Sequence, residues 1–267
     1  MAGFDGFDGR VAVVTGGASG IGRELVLRLA GLGAHVAVCD IDAERLAAAV
    51  AAARTANPSV RVSAHHLDVS DGEAVARLAA EVADLHGEAV HLLFNNAGVV
   101  GGGSFVAGDQ DEWEHTFSVA WHGVYHCTRA FLPMLLAADK GAVVNTASVN
   151  ALWASLGAGA PHTAYSAAKF TIRGFTEALI EDFRANAPHL SAVLVLPGHV
   201  RTAMPAPPRS WRTALGGLFS DYEPVSAADA AAAVVDALRA GYWRVVIGQD
   251  AEAVDERVRA DPWTAYE

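Results

Sequence analysis

The sequence predicts an α/β protein built as a doubly wound, mostly parallel sheet with helices on both faces. Short β-branched runs alternate with alanine-rich stretches of helical length along the chain. The short runs show no alternation of polar and apolar residues, which is typical of strands buried on both faces. The chain has 267 residues, 52% of them hydrophobic, so it can fill one large core.

Seven runs are candidate strands, and helical stretches such as DAERLAAAVAAARTA and DGEAVARLAAEVADLHG separate the first six. A strand, a helix and a second parallel strand form the repeating unit of a doubly wound sheet. The predicted strands, in chain order, are 10–15, 35–40, 61–68, 90–96, 142–148, 191–197 and 244–248.

No linker, repeat array or low-complexity tract divides the chain, so we expect a single domain over residues 1–267. One segment interrupts the alternation: residues 203–224, AMPAPPRSWRTALGGLFSDYEP, hold four prolines, two glycines and several apolar side chains. A loop this long in a compact domain is usually functional or disordered. Its apolar content indicates a lid that covers a binding site. Residues 1–10 are expected to form a flexible lead-in.

The charge balance excludes two classes of partner. The net charge is −11 and no basic cluster occurs, so neither nucleic acid nor a membrane surface is expected to bind. No signal peptide is evident, and no apolar run reaches the ~18 residues of a membrane span. Cys39 lies in an apolar run and Cys127 in a helical one, far apart in the sequence. We therefore expect both to be buried, reduced cysteines of a reducing compartment. A cytoplasmic protein is therefore expected.

A glycine-rich turn follows the first predicted strand. In TGGASGIG, residues 15–22, the glycines at 16, 20 and 22 permit a tight turn and a close backbone approach. The helix that follows would present free N–H groups to a phosphate. The spacing G-x-x-x-G-x-G differs from the common G-x-G-x-x-G, but the position between a strand and a helix indicates a phosphate-binding turn.

Asp40 ends the second predicted strand, about twenty residues after this turn. A carboxylate there can accept hydrogen bonds from both ribose hydroxyls of an adenosine, and it repels a 2′-phosphate. No arginine lies in the glycine turn or directly after Asp40. These features predict NAD rather than NADP as cofactor. The alternative is that Asp40 is a solvated strand end beside Asp42.

The stretch TAYSAAKF, residues 163–170, places Tyr165 and Lys169 one turn apart on one face of a predicted helix. A phenol has an ordinary pKa of about 10, and a nearby ammonium lowers it. The pair is therefore either a tuned acid/base or the edge of an ordinary amphipathic helix. The spacing alone leaves both interpretations open.

Four motifs together resemble the short-chain dehydrogenase/reductase family: TGGASGIG at 15–22, NNAG at 95–98, YSAAK at 165–169 and PGHVRT at 197–202. They occur in the family's order and approximate spacing. The resemblance covers nearly the whole chain and is weakest over 203–267. It implies a Rossmann fold, a nicotinamide cofactor and oxidoreductase activity.

The resemblance also implies roles for the matching residues. Tyr165 would be the general acid/base at the substrate oxygen, and Ser148 would hydrogen-bond the same oxygen. Lys169 would hold the nicotinamide ribose and, together with the positive charge of the oxidised ring, would lower the tyrosine pKa. Asp68 and Val69 would contact the adenine. The implied cofactor contacts are Gly16, Ser19, Gly20, Ile21, Gly22, Asp40, Ile41, Asp68, Val69, Asn95, Ala97, Gly98, Tyr165, Lys169, Pro197, Gly198, Val200 and Thr202.

The first departure from the family is the spacing of the catalytic serine and tyrosine. Ser148 and Tyr165 are seventeen residues apart, farther than is usual in relatives, so the loop between them is longer. Ser155 in that loop is a conceivable substitute. Ser148 is preferred because it stands where a predicted strand ends into the site. Trp153 and Leu156 of the same loop are expected to enlarge an apolar rim.

The second departure is Ala120 in the stretch VAWHG, at the position where relatives carry an asparagine. In relatives that asparagine helps to hold a water that carries protons between the lysine and solvent. Alanine lacks these side-chain hydrogen bonds, although its carbonyl can still hold a water if the helix is kinked. Catalysis would be slower, relayed differently or lost, with His122 and Asn150 as candidate replacements.

Two further sets of residues bear on ligands. His122 and His126 have the i, i+4 spacing of two metal ligands, but no third ligand completes a motif, so no metal is predicted. The candidate substrate contacts are Trp211 and Met204 in the lid and Trp153 in the loop before Tyr165.

The sequence thus predicts an NAD-dependent alcohol dehydrogenase or carbonyl reductase for an apolar small-molecule substrate. One alternative is a ketoreductase acting on carrier-bound 3-oxoacyl groups, against which Asp40 and the acidic charge argue. The other is an NAD-binding protein without turnover, which Ala120 favours. The resemblance further implies a homodimer or homotetramer assembled through helices at about 109–136 and 163–186 and the last strand.

Overall fold

A sheet of seven parallel strands forms the centre of this computed structural model, which describes residues 3–154, 161–202 and 222–262. The strand order is β3-β2-β1-β4-β5-β6-β9, so the chain winds outward from β1 in one direction and from β4 in the other. The strands are β1 (Val11–Thr15), β2 (His35–Asp40), β3 (Val62–His66), β4 (Leu92–Asn95), β5 (Gly141–Thr146), β6 (Leu190–Pro197) and β9 (Arg244–Ile247). The prediction of a doubly wound α/β fold is confirmed.

Helices cover both faces of this sheet, and several begin at a side-chain cap. Asp42, Asp71 and Ser226 each accept a hydrogen bond from a backbone N–H of the helix that follows. The helices are α1 (Gly20–Gly31), α2 (Ala43–Ala56), α3 (Gly72–His86), α4 (Gln110–Phe117), α5 (Gly123–Leu136), α6 (Thr163–Asn186), α7 (Ala227–Ala240) and α8 (Gln249–Ala260). A separate pair of short parallel strands comprises β7 (Val200–Arg201) and β8 (Val225–Ser226).

The sheet separates two hydrophobic layers because successive strand residues point to opposite faces. Ala12 and Val14 of β1 belong to the layer under α1, α2 and α7. Val11 and Val13 belong to the layer under α3, α5 and α6. Every residue of β1 is buried, which explains the lack of polar alternation in the sequence.

The helix predicted over 109–136 is not continuous. α4 ends at Phe117, a π-helical turn spans Ser118–His122, and α5 begins at Gly123. A π-helical turn holds one more residue than an α-helical turn and therefore displaces the backbone carbonyls from their regular partners. Ala120 lies fully buried in the middle of this turn.

The N-terminal segment packs into the first layer, so the expectation of a flexible lead-in is wrong for residues 3–10. Phe4 and Phe7 are 3% and 1% exposed, and their rings stack at 6.0 Å between centroids. The Phe4 N–H donates to the carbonyl of Leu238 at 3.0 Å, and the ammonium of Lys140 lies 5.2 Å from the Phe4 ring centre. Two aromatic rings bury enough apolar surface to hold the segment in place.

Both cysteines are free and buried, and burial raises the pKa of the Cys127 thiol to about 12. A thiol that stays protonated is a poor nucleophile. Across the described ranges no helix is both long enough and apolar enough to cross a membrane.

Candidate active site

A cavity of about 440 Å³ lies at the carboxyl ends of the strands, beside the point between β1 and β4 where the strand order reverses. Residues that follow β1, β2, β3, β4, β5 and β6 all contribute to its walls. The predicted site residues that line it are Gly16, Ser19, Gly20, Ile21, Asp40, Ile41, Asp68, Val69, Ala97, Gly98, Ser148, Tyr165, Lys169, Pro197, Gly198, Val200 and Thr202.

The glycine turn forms one end of the cavity. Gly16 has a φ of +62°, and a Cβ there would lie 2.9 Å from the Cα of Ala97, so a side chain is excluded both by conformation and by space. α1 begins at Gly20, and its N-cap Ser19 makes no side-chain cap hydrogen bond. The first N–H groups of α1 and its dipole therefore suit a phosphate at this end of the cavity.

Gly22 is not part of the cavity wall. A Cβ there would lie 2.1 Å from the Gly16 carbonyl oxygen, so its absence lets α1 pack closely against the glycine turn. The motif spacing thus combines two glycines that face the cavity with one that supports the turn.

Asp40 stands at the end of β2, half-buried in the cavity wall. Its two carboxylate oxygens accept 3.0 Å hydrogen bonds from the backbone N–H groups of Ala18 and Asp42. These bonds fix the carboxylate beside the glycine turn. Arg45, in the first turn of α2, also lines the cavity, and its guanidinium pairs with Asp42 at 3.2 Å. Arg45 lies five residues after Asp40, outside the glycine turn and the positions directly after Asp40 where an arginine would indicate NADP.

Asn95 does not reach the cavity. It is buried, and its amide nitrogen donates to the Asn145 side chain at 2.8 Å and to the Thr128 hydroxyl at 3.0 Å. These bonds join β4 to β5 and α5. The neighbouring Asn96 lines the cavity instead, and its amide nitrogen donates to the Thr15 carbonyl at 3.2 Å.

The fold brings Ser148, Tyr165 and Lys169 together at the other end of the cavity. Ser148 follows β5 and hydrogen-bonds the hydroxyl of Tyr165, which lies in the first turn of α6. The Lys169 ammonium lies 5.3 Å from the centre of the Tyr165 ring and donates a 2.9 Å hydrogen bond to the Thr146 carbonyl. The longer loop between Ser148 and Tyr165 therefore leaves the three side chains adjacent.

Burial governs the ionisation of this group. Burial raises the pKa of Tyr165 above its ordinary value, and the hydrogen bond from Ser148 partly opposes the rise. Burial lowers the pKa of Lys169 from 10.5 to about 8. The family resemblance assigns the lowering of the tyrosine pKa to Lys169 acting together with the oxidised nicotinamide ring, so this role stays a prediction for the nicotinamide-bound protein. Tyr165 holds its proton at neutral pH.

Asn150 supports the serine. Its backbone N–H donates to the Ser148 hydroxyl at 3.2 Å, and its side-chain amide donates to the Ser166 hydroxyl at 3.2 Å. It is buried, and it links Ser148 to α6 next to Tyr165. His122, by contrast, is exposed and lies beside Ser118 at 3.2 Å, away from the cavity walls.

The structure does not place Trp153 among the cavity walls. Its side chain is 6% exposed, packs in a hydrophobic cluster with Leu196 and Val254, and lies 5.2 Å beneath the Arg257 guanidinium. As an apolar side chain it contributes to the core under α8 rather than to an open rim. The other predicted substrate contacts, Met204 and Trp211, and the loop residues Ser155 and Leu156 lie outside the described residues.

Several wall residues were missed by the sequence analysis. Asn96 is the second residue of the NNAG motif and Val99 directly follows it. His115 and Val119 lie one helical turn apart, so their i, i+4 spacing was the available signal. The missed wall residues are Asp42, Arg45, Leu67, Asn96, Val99, His115, Val119, Thr146 and Ala147. In the parts of the chain that the structure describes, no group of three histidine, cysteine or acidic side chains is placed to hold a metal ion.

Known proteins show the same sequence pattern. A sequence model of the short chain dehydrogenase family matches residues 10–213. SadH of Mycobacterium tuberculosis is 36% identical over 261 residues, which cover 95% of this chain and 91% of SadH. The meso-2,3-butanediol dehydrogenase of Serratia marcescens is 36% identical over 198 residues, 74% of each chain.

Solved structures show the same fold. A short-chain dehydrogenase/reductase of Burkholderia phymatum in complex with NAD superimposes with a TM-score of 0.83 at 29% identity, covering 96% of this chain and 94% of that one. A short-chain dehydrogenase of Burkholderia cenocepacia in complex with NADP gives 0.77 at 26% identity, covering 97% and 96%. The chain therefore belongs to the short-chain dehydrogenase/reductase family of nicotinamide-dependent oxidoreductases and has the Rossmann fold of that family.

Proposed function

We propose that this protein is an NAD-dependent oxidoreductase that interconverts a secondary alcohol and a ketone, with Tyr165 as general acid/base. The observation that carries the proposal is one cavity with a phosphate-binding turn at one end and the hydrogen-bonded Ser148–Tyr165 pair beside Lys169 at the other. A bound dinucleotide would extend from the phosphate-binding turn to Lys169. A substrate oxygen would bind at the Ser148–Tyr165 pair.

The residues present fit a nicotinamide dinucleotide. Gly16 and the start of α1 would hold the pyrophosphate, and Asp40 would accept the adenosine ribose hydroxyls. Lys169 uses one of its three ammonium donors on the Thr146 carbonyl and retains donors for the second ribose. Pro197 and Thr202 would line the nicotinamide position. When bound, the nicotinamide ring supplies or accepts the hydride.

The chain's own residues handle the proton. A phenol keeps its proton at neutral pH, and burial raises the pKa of Tyr165 further, so Tyr165 can donate this proton to a developing alkoxide during ketone reduction. Ser148 would donate a hydrogen bond to the same substrate oxygen and hold it against Tyr165. In the oxidation direction Tyr165 must first lose its proton, which the positive charges of Lys169 and of the oxidised ring favour.

Asp40 supports NAD over NADP because its fixed carboxylate would repel a 2′-phosphate. Relatives of this fold have been solved with either cofactor. The apolar composition of residues 203–224 supports an apolar alcohol or ketone as substrate.

The proposed assembly is a homodimer or homotetramer. Tyr125 of α5 and Phe170 of α6 are 48% and 37% exposed, and Trp243, which precedes the edge strand β9, is 41% exposed. Exposed large side chains and a strand at the edge of the sheet both favour a symmetric partner. Light scattering coupled to size-exclusion chromatography measures the assembly directly.

A second candidate is a dinucleotide-binding protein with impaired turnover, which Ala120 favours. The π-helical turn offers backbone carbonyls for a water, and this favours a relay without an asparagine side chain. If wild-type protein binds NADH but turns over no substrate, Ala120→Asn separates the cases. A gain of turnover would identify a broken relay, and silence would indicate a narrow substrate range.

The test of the proposed function follows absorbance of reduced nicotinamide with NAD⁺ or NADP⁺ and secondary alcohols from small aliphatic to steroidal. We expect turnover with NAD⁺ that grows with apolar bulk and is abolished in Tyr165→Phe, while NADH binding to that variant persists. Turnover that survives Tyr165→Phe would overturn the catalytic assignment, and a preference for NADP⁺ would overturn the cofactor assignment.

A further inference from the structure

The segment that follows β6 has one side toward the cavity and one side toward α8. Pro197, Gly198, Val200 and Thr202 line the cavity, whereas His199 between them does not. The backbone N–H of His199 points the other way and donates to a carboxylate oxygen of Asp250 at 2.6 Å. The cavity-facing residues of 197–202 are thus held from behind by a side chain fifty-one positions farther along the chain.

Asp250 is a buried acid in the first turn of α8, with 4% of its surface exposed. Two backbone hydrogen bonds complete the anchoring of the segment: Gly198 N–H donates to the Ile247 carbonyl at 2.9 Å, and Val225 N–H donates to the His199 carbonyl at 3.0 Å. The carboxylate provides the charge-assisted bond of this set, which is the stronger kind.

The backbone around Asp250 leaves room for its carboxylate. A Cβ on Gly198 would lie 2.2 Å from one carboxylate oxygen of Asp250, and a Cβ on Gly248 would lie 2.4 Å from the same oxygen. Gly248 also has a φ of +103°, which side-chain-bearing residues rarely adopt. The Asp250 carboxylate therefore fits at the junction of β6, β9 and α8 only because Gly198 and Gly248 have no side chains.

α8 is attached to the rest of the molecule independently of Asp250. Asp255, also 4% exposed, forms an ion pair with Arg244 of β9 and a second, 3.1 Å pair with Arg259. Arg257 of the same helix lies over Trp153 in the loop after Ser148. The helix is thus held by one buried acid that faces the cofactor segment and by another that pairs with Arg244 of β9 and Arg259 of its own helix, near Arg173 of α6.

We propose that Asp250 is a positioning residue for the dinucleotide site: by holding the His199 amide, it fixes the cavity-facing backbone of 197–202 and sets the affinity for the cofactor. This inference rests on the proposed function, because it assumes that the cavity binds a nicotinamide dinucleotide. Asp255 has no such role, although it is equally buried on the same helix.

The test compares Asp250→Ala, Asp250→Asn and Asp255→Asn in the full chain. NADH and NADPH are titrated separately by fluorescence, thermal unfolding is recorded for each variant, and amide hydrogen exchange is followed without nucleotide. We expect Asp250→Ala to weaken binding of the preferred nucleotide by about tenfold, since it removes a hydrogen bond to a charged acceptor. Asp250→Asn retains an acceptor oxygen and should recover part of this loss.

Exchange supplies a readout that needs no nucleotide. Asp250→Ala should lose amide protection over 198–200, whereas Asp255→Asn should lower the unfolding temperature and leave both protection there and nucleotide affinity unchanged. If the two substitutions weaken binding equally, or if Asp250→Ala leaves affinity and exchange at wild-type values, the proposal is overturned. Wild-type protein that binds neither nucleotide contradicts the proposed function instead, and the exchange result still decides whether Asp250 holds the segment.

Discussion

The ammonium nitrogen of Lys169 lies 5.3 Å from the centre of the Tyr165 ring, and both side chains have lost most of their hydration. Burial moves their pKa values toward each other: that of the phenol rises and that of the ammonium falls to about 8. At neutral pH the cost in folding free energy falls on Lys169, whose charged form is poorly solvated, because Tyr165 is uncharged in both the folded and the unfolded chain. Such a cost is typical of a functional site.

Lys169→Met should stabilise the fold at neutral pH and abolish turnover. The pKa of Lys169 falls from 10.5 to about 8 on folding, so below pH 8 the wild type carries a buried charge that costs on the order of 3 kcal/mol. Loss of the hydrogen bond to the Thr146 carbonyl offsets part of the gain.

The same substitution changes the pH dependence of stability. Between pH 8 and 10 the unfolded wild-type chain binds more protons at this lysine than the folded chain, so wild-type stability rises with pH in that range. Lys169→Met should remove this rise in urea unfolding. Lys140→Met, which removes a lysine next to the Phe4 ring and far from the cavity, is the control and should keep the rise. A variant less stable than wild type at pH 7 would contradict the prediction.

Asp40→Ser should reverse the cofactor preference. It removes the acceptor for the ribose hydroxyls and the repulsion of a 2′-phosphate, so NADH affinity should fall by about tenfold or more while NADPH affinity rises. Arg45 then becomes the nearby cation, and adding Arg45→Ala should cancel the NADPH gain. Asp42→Ala, which removes the α2 cap and the Arg45 pair without changing the Asp40 side chain, controls for local disorder. Equal loss of both nucleotides in Asp40→Ser would indicate collapse of the glycine turn.

His86→Gln should make the protein more resistant to acid. Burial, with Arg61, His35 and His65 nearby, lowers the pKa of His86 from 6.5 to about 4, and its ring hydrogen-bonds Ser63 at 2.8 Å. The unfolded chain therefore binds a proton that the folded chain does not, and wild-type stability falls as pH drops from 6.5 toward 4.

Urea unfolding at pH 7 and pH 5 measures this effect. The wild-type loss attributable to His86 should be on the order of 1–2 kcal/mol, and it should be smaller in His86→Gln. His66→Gln, at an exposed position of β3, is the control and should show the pH response of the wild type. An identical pH response of His86→Gln and wild type would refute the assignment.

Phe4→Ala should destabilise the protein by about 3 kcal/mol, because it empties a buried aromatic position. The ring is 3% exposed and contacts Phe7 and Lys140. Phe105→Ala is the matched control, since that ring is 77% exposed and its loss should change stability by less than about 0.5 kcal/mol. Thermal unfolding of both variants decides whether the N-terminal segment is part of the folded core.

The secondary-structure elements that short stretches of sequence define were the most predictable part of the fold. The strand runs were identified because burial on both faces excludes polar alternation, and α6 was placed at its observed bounds, 163–186. The break at Ala120 was not predicted as a π-helical turn, because the same residues suit a continuous helix and the extra residue is accommodated by packing. Phe4 and Phe7 read as tail residues because their partners, such as Leu238, lie far away in the chain.

The sequence by itself determined the order of the strands along the chain, the glycine turn, and the spacing that brings Tyr165 and Lys169 to one helix face, since all of these depend on neighbours within a few residues. Tertiary structure alone decided that the pKa of Tyr165 is raised, that Asn95 and Trp153 turn into the core, and that Asp250 holds the segment at His199. Hydration, packing and long-range hydrogen bonds depend on residues that only folding brings together.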